Sequence, residues 1–356
     1  MNLKSIFLNN FRSHEKLELK FSKNLNILTG KNASGKTNIL EAIFFLATTR
    51  SHRTAGLKDL ISWDKENFYI KAEVQINGSI KVIEAGCPRV GKRVIKLNNN
   101  EVYYRKDIVG QLPVVFFSPE DLYMVKEEPS FRRKFLDIFM SQVKPGYIAT
   151  LQKYQQVISE RNKALMQVKT GLLAQAGLEI WDDQAVKYGV EIASKRKAAV
   201  FRLNDICGAL HEEMTGGAEK LSLDYDTVSA EEEMFRQKIK EKKALELEQG
   251  ISLVGPHRDD ILICIDGASA RRYGSQGQQR TAALSMKLGE FEAMKELLGD
   301  YPLILFDDVL SELDGQRQKY FLNLLLNKGN SIQALVTTTE LGVFETIREE
   351  INIIEI

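Results

Sequence analysis

Gly30-Lys31-Asn32-Ala33-Ser34-Gly35-Lys36-Thr37 reads G-x-x-x-x-G-K-T and follows directly on an apolar segment, Leu25 to Leu28. Behind it, Ile39, Ala42, Ile43 and Leu46 fall on one face of a helix. Strand, glycine-rich loop and helix form the context that a phosphate-binding loop needs. The glycines let backbone N–H groups curl around anionic oxygens with no Cβ in the way. Lys36 adds a mobile point charge for β- and γ-phosphates. Thr37 offers a hydroxyl to Mg2+, and the helix start behind it favours negative charge. The stretch implies an α/β fold and a site for a nucleoside triphosphate.

A second motif lies far downstream. Pro302-Leu303-Ile304-Leu305-Phe306-Asp307-Asp308 is an apolar run ending in two carboxylates. A buried strand that ends in acid is how such a protein reaches its Mg2+. Asp307 is expected to hold the metal, and Asp308 to orient or deprotonate the attacking water. A third piece is Ser275-Gln276-Gly277-Gln278-Gln279 at a helix start. It reads either as a second anion site, serving a partner subunit's nucleotide, or as a plain helix cap built on Ser275.

Around these motifs the chain changes character twice. Residues 1–119 are rich in alternating strands: Ser5 to Phe11, Phe68 to Ile76, Ser79 to Ala85, Val94 to Leu97 and Val114 to Phe117, with Asn77-Gly78 as a hairpin turn. Residues 120–249 are dominated by helix formers, with long helices expected at Tyr147 to Thr170, Leu178 to Glu213 and Glu231 to Glu248. From Gly250 to residue 356 the β/α pattern resumes, with strands at Ile251 to Val254, Ile261 to Ile265, Leu303 to Phe306 and Ala334 to Thr337. The expected architecture is one nucleotide-binding head built from both ends of the chain, with 120–249 inserted as a helical arm or an ordinary helical subdomain.

Composition bounds the rest. The chain has 356 residues, 44% hydrophobic and 27% charged, which suits a globular protein with a large core. No apolar run approaches the length of a membrane span, and the first residues turn polar at Asn9-Asn10, unlike a secretory leader. Cys87, Cys207 and Cys264 make no disulfide framework and no metal spacing; they read as buried small hydrophobes in a reducing cytoplasm. The four histidines are dispersed, so no zinc site is visible. Net charge is +1, so any DNA binding must rest on local clusters. The candidates are Arg89, Lys92, Arg93 and Lys96; Arg132, Arg133 and Lys134; and Lys195, Arg196 and Lys197. Each is otherwise a solvated face. Arg12 and Arg50-Ser51-His52-Arg53 are read as lying near nucleotide or DNA, or as surface charge. His257 and Arg258 either approach the site or brace a turn.

Taken together these motifs resemble the ABC-type ATPase heads of the SMC branch and, within it, the RecF family. The resemblance covers nearly the whole chain. It includes Leu8-Asn9-Asn10-Phe11-Arg12, the Walker A loop, Phe117-Ser118-Pro119-Glu120-Asp121-Leu122, Arg132-Arg133-Lys134-Phe135-Leu136-Asp137 and Gly255-Pro256-His257-Arg258-Asp259-Asp260. It closes with the signature Ser275 to Arg280, the Walker B acids Asp307-Asp308 and a D-loop at Ser311-Glu312-Leu313-Asp314. The resemblance implies ATP and Mg2+ as cofactors, and DNA at gaps where single strand meets duplex as ligand. It implies RecO and RecR as partners in loading recombinase, with roles in repair, replication restart and the SOS response. It further implies a homodimer around two ATP, in which Ser275, Gly277 and Gln278 of one copy touch the γ-phosphate held by Lys36 of the other. Hydrolysis would release the dimer and the DNA. Asp308 stands where the wider family has glutamate, so slow hydrolysis is expected. Thr338 or Thr339 is read as the switch residue, and Glu120 as the glutamine-loop equivalent. The competing reading is the ATPase subunit of a membrane transporter, with a P-loop kinase behind it.

Overall fold

The computed structural model describes residues 1–54, 56–76, 78–309, 315–327, 332–342, 344 and 351–356. The chain divides into two compact units: Met1–Asp121 with Glu290–Ile356, and Leu122–Gly289.

The first unit opens with β1 (Asn2–Phe11), β2 (His14–Lys20), β3 (Leu25–Thr29), α1 (Lys36–Thr48), β4 (Asn67–Ile76), β5 (Ser79–Pro88), β6 (Val94–Leu97), β7 (Asn100–Glu101) and β8 (Val114–Phe117). Six of the strands form an antiparallel sheet in the order β2-β1-β4-β5-β6-β7. One face of it is buried: Phe68, Ile70, Ala72 and Val74 alternate along β4 with half-buried polar neighbours.

The second unit follows as α2 (Tyr123–Lys126), α3 (Pro129–Val143), α4 (Tyr147–Lys169), α5 (Glu179–Thr215), β9 (Leu221–Asp226), α6 (Glu232–Gln249), β10 (Asp260–Ile265), β11 (Ala268–Ser269), α7 (Ala270–Tyr273) and the first part of α8 (Gln276–Leu298). Its strands make a small antiparallel sheet, β11-β10-β9. The chain then returns to the first unit with β12 (Leu303–Asp307), α9 (Gly315–Asn327), β13 (Ala334–Thr338) and β14 (Asn352–Glu355). These strands join β3 and β8 in a parallel sheet of order β14-β3-β13-β12-β8. Every residue of β8 and β12 is buried, as expected of a parallel sheet covered on both faces.

Helix α1 lies between the two sheets of the first unit, touching β1, β4 and β5 of one and β8, β12 and β13 of the other. Aromatic rings fill the layers. Phe45 and Phe11 meet Phe68 edge-on, Phe44 packs on Phe116, and Phe117 stacks on Phe306 at 4.1 Å. Ladder order and packing together bring the end of β3, the end of β12 and the start of α1 to one place.

The second unit is held by buried arginines as much as by apolar packing. Arg161 on α4 is 1% exposed and pairs with Asp182 at 2.7 Å and Glu246 at 2.6 Å, while also donating to the Ser252 hydroxyl. Arg196 on α5 pairs with Asp137 at 2.7 Å and donates to the Pro256 carbonyl at 2.7 Å. Trp181 packs on Ala164, Leu165 and Leu178, whereas Trp63 of the first unit is 91% exposed.

Four sequence expectations differ from what is observed. Residues 250–289, read as part of the head, lie in the second unit, because β10 pairs with β9 over its full length. Strand β9 itself interrupts a segment read as helical. Ile251 to Val254 is a loop, not a strand. There the Ser252 N–H donates to Asn162 Oδ1 and the Leu253 N–H to Glu246 Oε1, both at 2.7 Å, so side chains take the donors a ladder would use. Cys87 and Cys207 are buried, but Cys264 is only half-buried. Asn77 and the D-loop stretch Ser311 to Asp314 lie outside the described residues.

Candidate nucleotide-binding site

Strand β3 ends at Thr29, and the chain turns through Gly30 to Gly35 into α1. Gly30 (φ 150°), Ala33 (φ 64°) and Gly35 (φ 102°) are left-handed, so the loop curls tightly. At Gly35 a side chain is excluded twice over. Its φ is strained for any L residue, and a Cβ there would stand 2.5 Å from His14 Nε2 and 2.7 Å from Ser13 Oγ. The β1–β2 turn therefore leans directly on the loop, and the His14 ring nitrogen lies 3.1 Å from the Gly35 carbonyl.

The loop's polar groups fit a phosphate. Lys36 Nζ folds back to donate to the Gly30 carbonyl at 2.7 Å and the Lys31 carbonyl at 2.9 Å. Ser34 Oγ is buried with no hydrogen-bond partner. No side chain caps the start of α1. An orphaned hydroxyl, an uncapped helix start and a lysine bonded only to its own loop are satisfied together by an anion seated in the cradle. Lys31, Asn32 and Ala33 are exposed at its rim.

Thr37, Asp307 and Thr337 converge beside it. Thr37 Oγ1 donates to Asp307 Oδ1 at 2.7 Å, and Thr337 Oγ1 lies 2.9 Å from the same oxygen. Sheet order explains the triad: β13, which carries Thr337, runs between β3 and β12. Burial pushes the Asp307 carboxyl above its usual range and the Asp308 charge adds to this, against the two threonine hydroxyls that favour the ionised form. A hydroxyl and a carboxylate oxygen in contact are a hard-donor pair of the kind Mg2+ takes. Asp308 is exposed, with φ 52°, and its N–H donates to Thr337 Oγ1 at 3.0 Å.

Arg12 does not reach towards solvent. It forks onto Glu41 of α1, Nε to Oε2 at 2.9 Å and Nη2 to Oε1 at 2.7 Å, and donates to the Asp59 carbonyl. Burial alone would raise the Glu41 carboxyl; hydrogen bonds from Arg12 and Ser51 outweigh it and hold the group below its ordinary range. Arg53 approaches Asn38 and Glu41 from the other side. This pair fixes the β1–β2 turn against α1, and with it His14 against Gly35.

In the second unit, Ser275 and Gln278 form a reciprocal capping box at the start of α8. The Gln278 N–H donates to Ser275 Oγ at 3.2 Å, and the Ser275 N–H to Gln278 Oε1 at 2.8 Å. Ser275, Gln276 and Gly277 are exposed. A Cβ at Gly277 would meet only Ser275 Oγ, at 3.9 Å, so nothing in the chain's own packing requires glycine there.

Several expected residues serve other ends. Arg132 is 3% exposed and bidentate to Asp260, and Arg133 donates to the Asp259 carbonyl. With Arg196 equally buried, two of the three clusters proposed for DNA each lose one cation, Arg132 and Arg196, to internal pairing. His257 accepts from the Tyr154 hydroxyl at Nδ1 and meets the Ser252 carbonyl at Nε2, while Arg258 also donates to Ser252, so both brace the turn. Thr338 closes a local turn with Glu340, Thr339 is exposed, and it is Thr337 that touches the acid. Glu120 is exposed. Sequence reasoning missed Thr337, Glu41 and His14. A polar residue closing a buried strand and a lone acid in the apolar run of α1 were the available signals for the first two; His14 carried none.

The family model for the RecF/RecN/SMC N-terminal domain matches residues 2–355. The DNA replication and repair protein RecF of Clostridium tetani is 41% identical over 347 residues, covering 95% of this chain and 93% of that protein. The RecF protein of Agathobacter rectalis is 38% identical, covering 99% and 96%. A solved structure of the recombination mediator protein RecF-ATPrS in the RecFOR pathway superposes with a TM-score of 0.90 at 37% identity, covering 96% of this chain and 93% of that one. A phosphate-loop head with a separate capped signature helix, matched end to end by proteins of one name, leaves one assignment: this chain belongs to the RecF family of ABC-type ATPase heads.

Proposed function

We propose that this protein is an ATP-dependent DNA-binding protein of replication and recombinational repair, which dimerises on ATP and holds DNA at single-strand gaps. The observation that carries the reading is the cradle itself: an uncapped α1, the orphaned Ser34 hydroxyl and Lys36 beside the Thr37–Asp307 pair. Gly30 to Thr37 wrap the phosphates, Lys36 exchanges its two loop carbonyls for β- and γ-oxygens, and Thr37 and Asp307 hold Mg2+. When bound, Mg2+ draws charge from the phosphate oxygens. Asp308 orients the attacking water, and its short side chain makes turnover slow.

The exposed Ser275 and Gly277, with the half-buried Gln278 beside them, support the dimer. Glycine in the first turns of a helix costs up to about 1 kcal/mol relative to alanine, and nothing inside this chain requires it. A phosphate from a second copy approaching the helix start supplies the reason. The relatives named RecF, and a neighbour placed in the RecFOR pathway, favour RecO and RecR as partners and a cytoplasmic setting. Among the described residues no helix is long and apolar enough to cross a membrane. None of the relatives reported above is a transporter subunit.

Sedimentation velocity with and without Mg-ATP and a gapped duplex tests the reading. A dimer that forms only with nucleotide and carries the DNA is the expected result. An unchanged sedimentation coefficient in both additions removes it.

A further inference from the structure

Three arginines gather at the end of α1 opposite the phosphate loop. Arg93 Nη1 donates to the Thr49 carbonyl at 2.8 Å. Arg105 donates through Nε to Thr49 Oγ1 at 2.6 Å and through Nη2 to the Thr48 carbonyl at 2.9 Å. Arg50 follows directly in the chain, is exposed, and its guanidinium has no hydrogen-bond or ion-pair partner among the described residues. None of the three pairs with a carboxylate among the described residues. Burial, then the charges of Arg50 and Arg93, bring Arg105 down to about 10; burial lowers Arg93 as well, with Cys87 opposing and Arg50 adding to the shift.

A helix end explains only part of this. The C-terminus of a helix carries roughly half a negative charge, which one cation answers. Three cations leave an excess of about two and a half charges, with most of their N–H donors still uncommitted. Natural proteins rarely gather guanidinium groups without an anion, because the mutual repulsion is unfavourable. The surface beside them is aromatic. Tyr103 is 82% and Tyr104 67% exposed, and Lys106 lies 5.5 Å over the Tyr104 ring. Basic groups interleaved with exposed rings suit a nucleic-acid strand, whose phosphates meet the charge and whose sugars and bases meet the rings.

We infer that Arg50, Arg93 and Arg105 form a second phosphate-oxygen site, separate from the nucleotide cradle, that seats a backbone phosphate of the bound DNA. Length alone separates the two: the 13 residues of α1 place them about 18 Å apart. The inference rests on the DNA-binding reading above, and its test is arranged so that the two fail separately.

Arg50→Gln and the double variant Arg50→Gln/Arg93→Gln are compared with the unaltered protein, leaving Arg105 to cap α1. Binding of a fluorescein-labelled gapped duplex is measured with Mg-ATP across a salt series, alongside titration with a fluorescent ATP analogue. The expected result is unchanged nucleotide affinity in both variants. DNA binding in the double variant weakens about tenfold at low salt, and its log K against log salt slope is shallower by about 1, the value for one lost phosphate contact. Retained slope and affinity in the double variant overturn the site. If the unaltered protein binds no DNA, the functional reading falls instead, and inorganic phosphate decides the site. Thermal stabilisation by phosphate that persists in Lys36→Ala but vanishes in Lys36→Ala/Arg50→Gln supports a free anion as its ligand; no stabilisation in either overturns it.

Discussion

At Gly35 two independent constraints meet: a φ of 102° and three side-chain atoms of Ser13 and His14 within 2.7 Å of where a Cβ would stand. Gly35→Ala is therefore expected to destabilise the protein by about 1–3 kcal/mol and to weaken ATP binding at least tenfold. Full nucleotide affinity in a calorimetric titration would show that the loop tolerates a side chain. Thr337 gives a sharper test, because its hydroxyl serves Asp307 and the Asp308 N–H at once. Thr337→Val should leave nucleotide binding without metal unchanged but weaken it several-fold when Mg2+ is present. An unaltered Mg2+ dependence would place Thr337 outside the site. The phosphate loop and the paired acids were legible in the sequence because each is a contiguous run with a fixed chemistry. Thr337, His14 and Glu41 were not, because their roles come from strand order and from a turn folding back over a glycine. No local pattern encodes either.

Among the elements, the second unit shows the limits of reading helices from composition. The long helices α4, α5 and α6 were legible to within two residues at each end, since few glycines or prolines interrupt them. Strand β9 was hidden because its six residues sit between long helices, and the false strand at Ile251 to Val254 arose because apolar residues there pack without pairing. Buried charge, not periodicity, fixes that loop. Arg161→Ala leaves Glu246, which is fully buried, without its partner, and should cost about 3–5 kcal/mol in urea unfolding followed by far-UV circular dichroism. A loss below 1 kcal/mol would show that the pair is replaceable.

The same unit carries two opposed titrations. Burial lowers His257 to about 4 and raises Asp259 to about 6. The histidine's contribution to stability is whole above its ordinary value near 6.5 and is lost as pH falls towards 4. The aspartate's contribution is whole below its ordinary value near 4 and is lost as pH rises through 6. Each amounts to roughly 3 kcal/mol, and the slopes cancel across that window. Asp259→Asn removes one of them, so its stability should fall on acidification from pH 6.5 to 4 far more steeply than that of the unaltered protein. Equal slopes would refute the opposition.

For the whole molecule, the near-zero net charge conceals strong local fields, and ATP is the proposed link between copies. Gly277→Ala is sterically harmless within one chain, where the added carbon finds 3.9 Å of clearance. It should raise thermal stability slightly, by up to about 1 kcal/mol, and leave ATP affinity intact, while weakening ATP-driven dimers in analytical ultracentrifugation. Ser275→Arg, which places a bulky cation at the same surface, should abolish them. Dimers of normal strength in both variants would rule out a partner's phosphate at this helix start. The split of the chain into two units was legible in outline from its composition shifts. Its second boundary was not, because it falls inside the continuous helix α8, where composition does not change.

Trp63 stands almost wholly in water on the first unit, and Trp181 is wedged among aliphatic side chains on the second. With only two indoles in the chain, the protein carries a built-in optical label for each unit. Iodide will quench the red-edge emission of Trp63 from the start, whereas the emission of the half-buried Trp181 will be quenched more weakly until the second unit opens. Ordinary fluorescence can thus time the melting of the second unit without any dye.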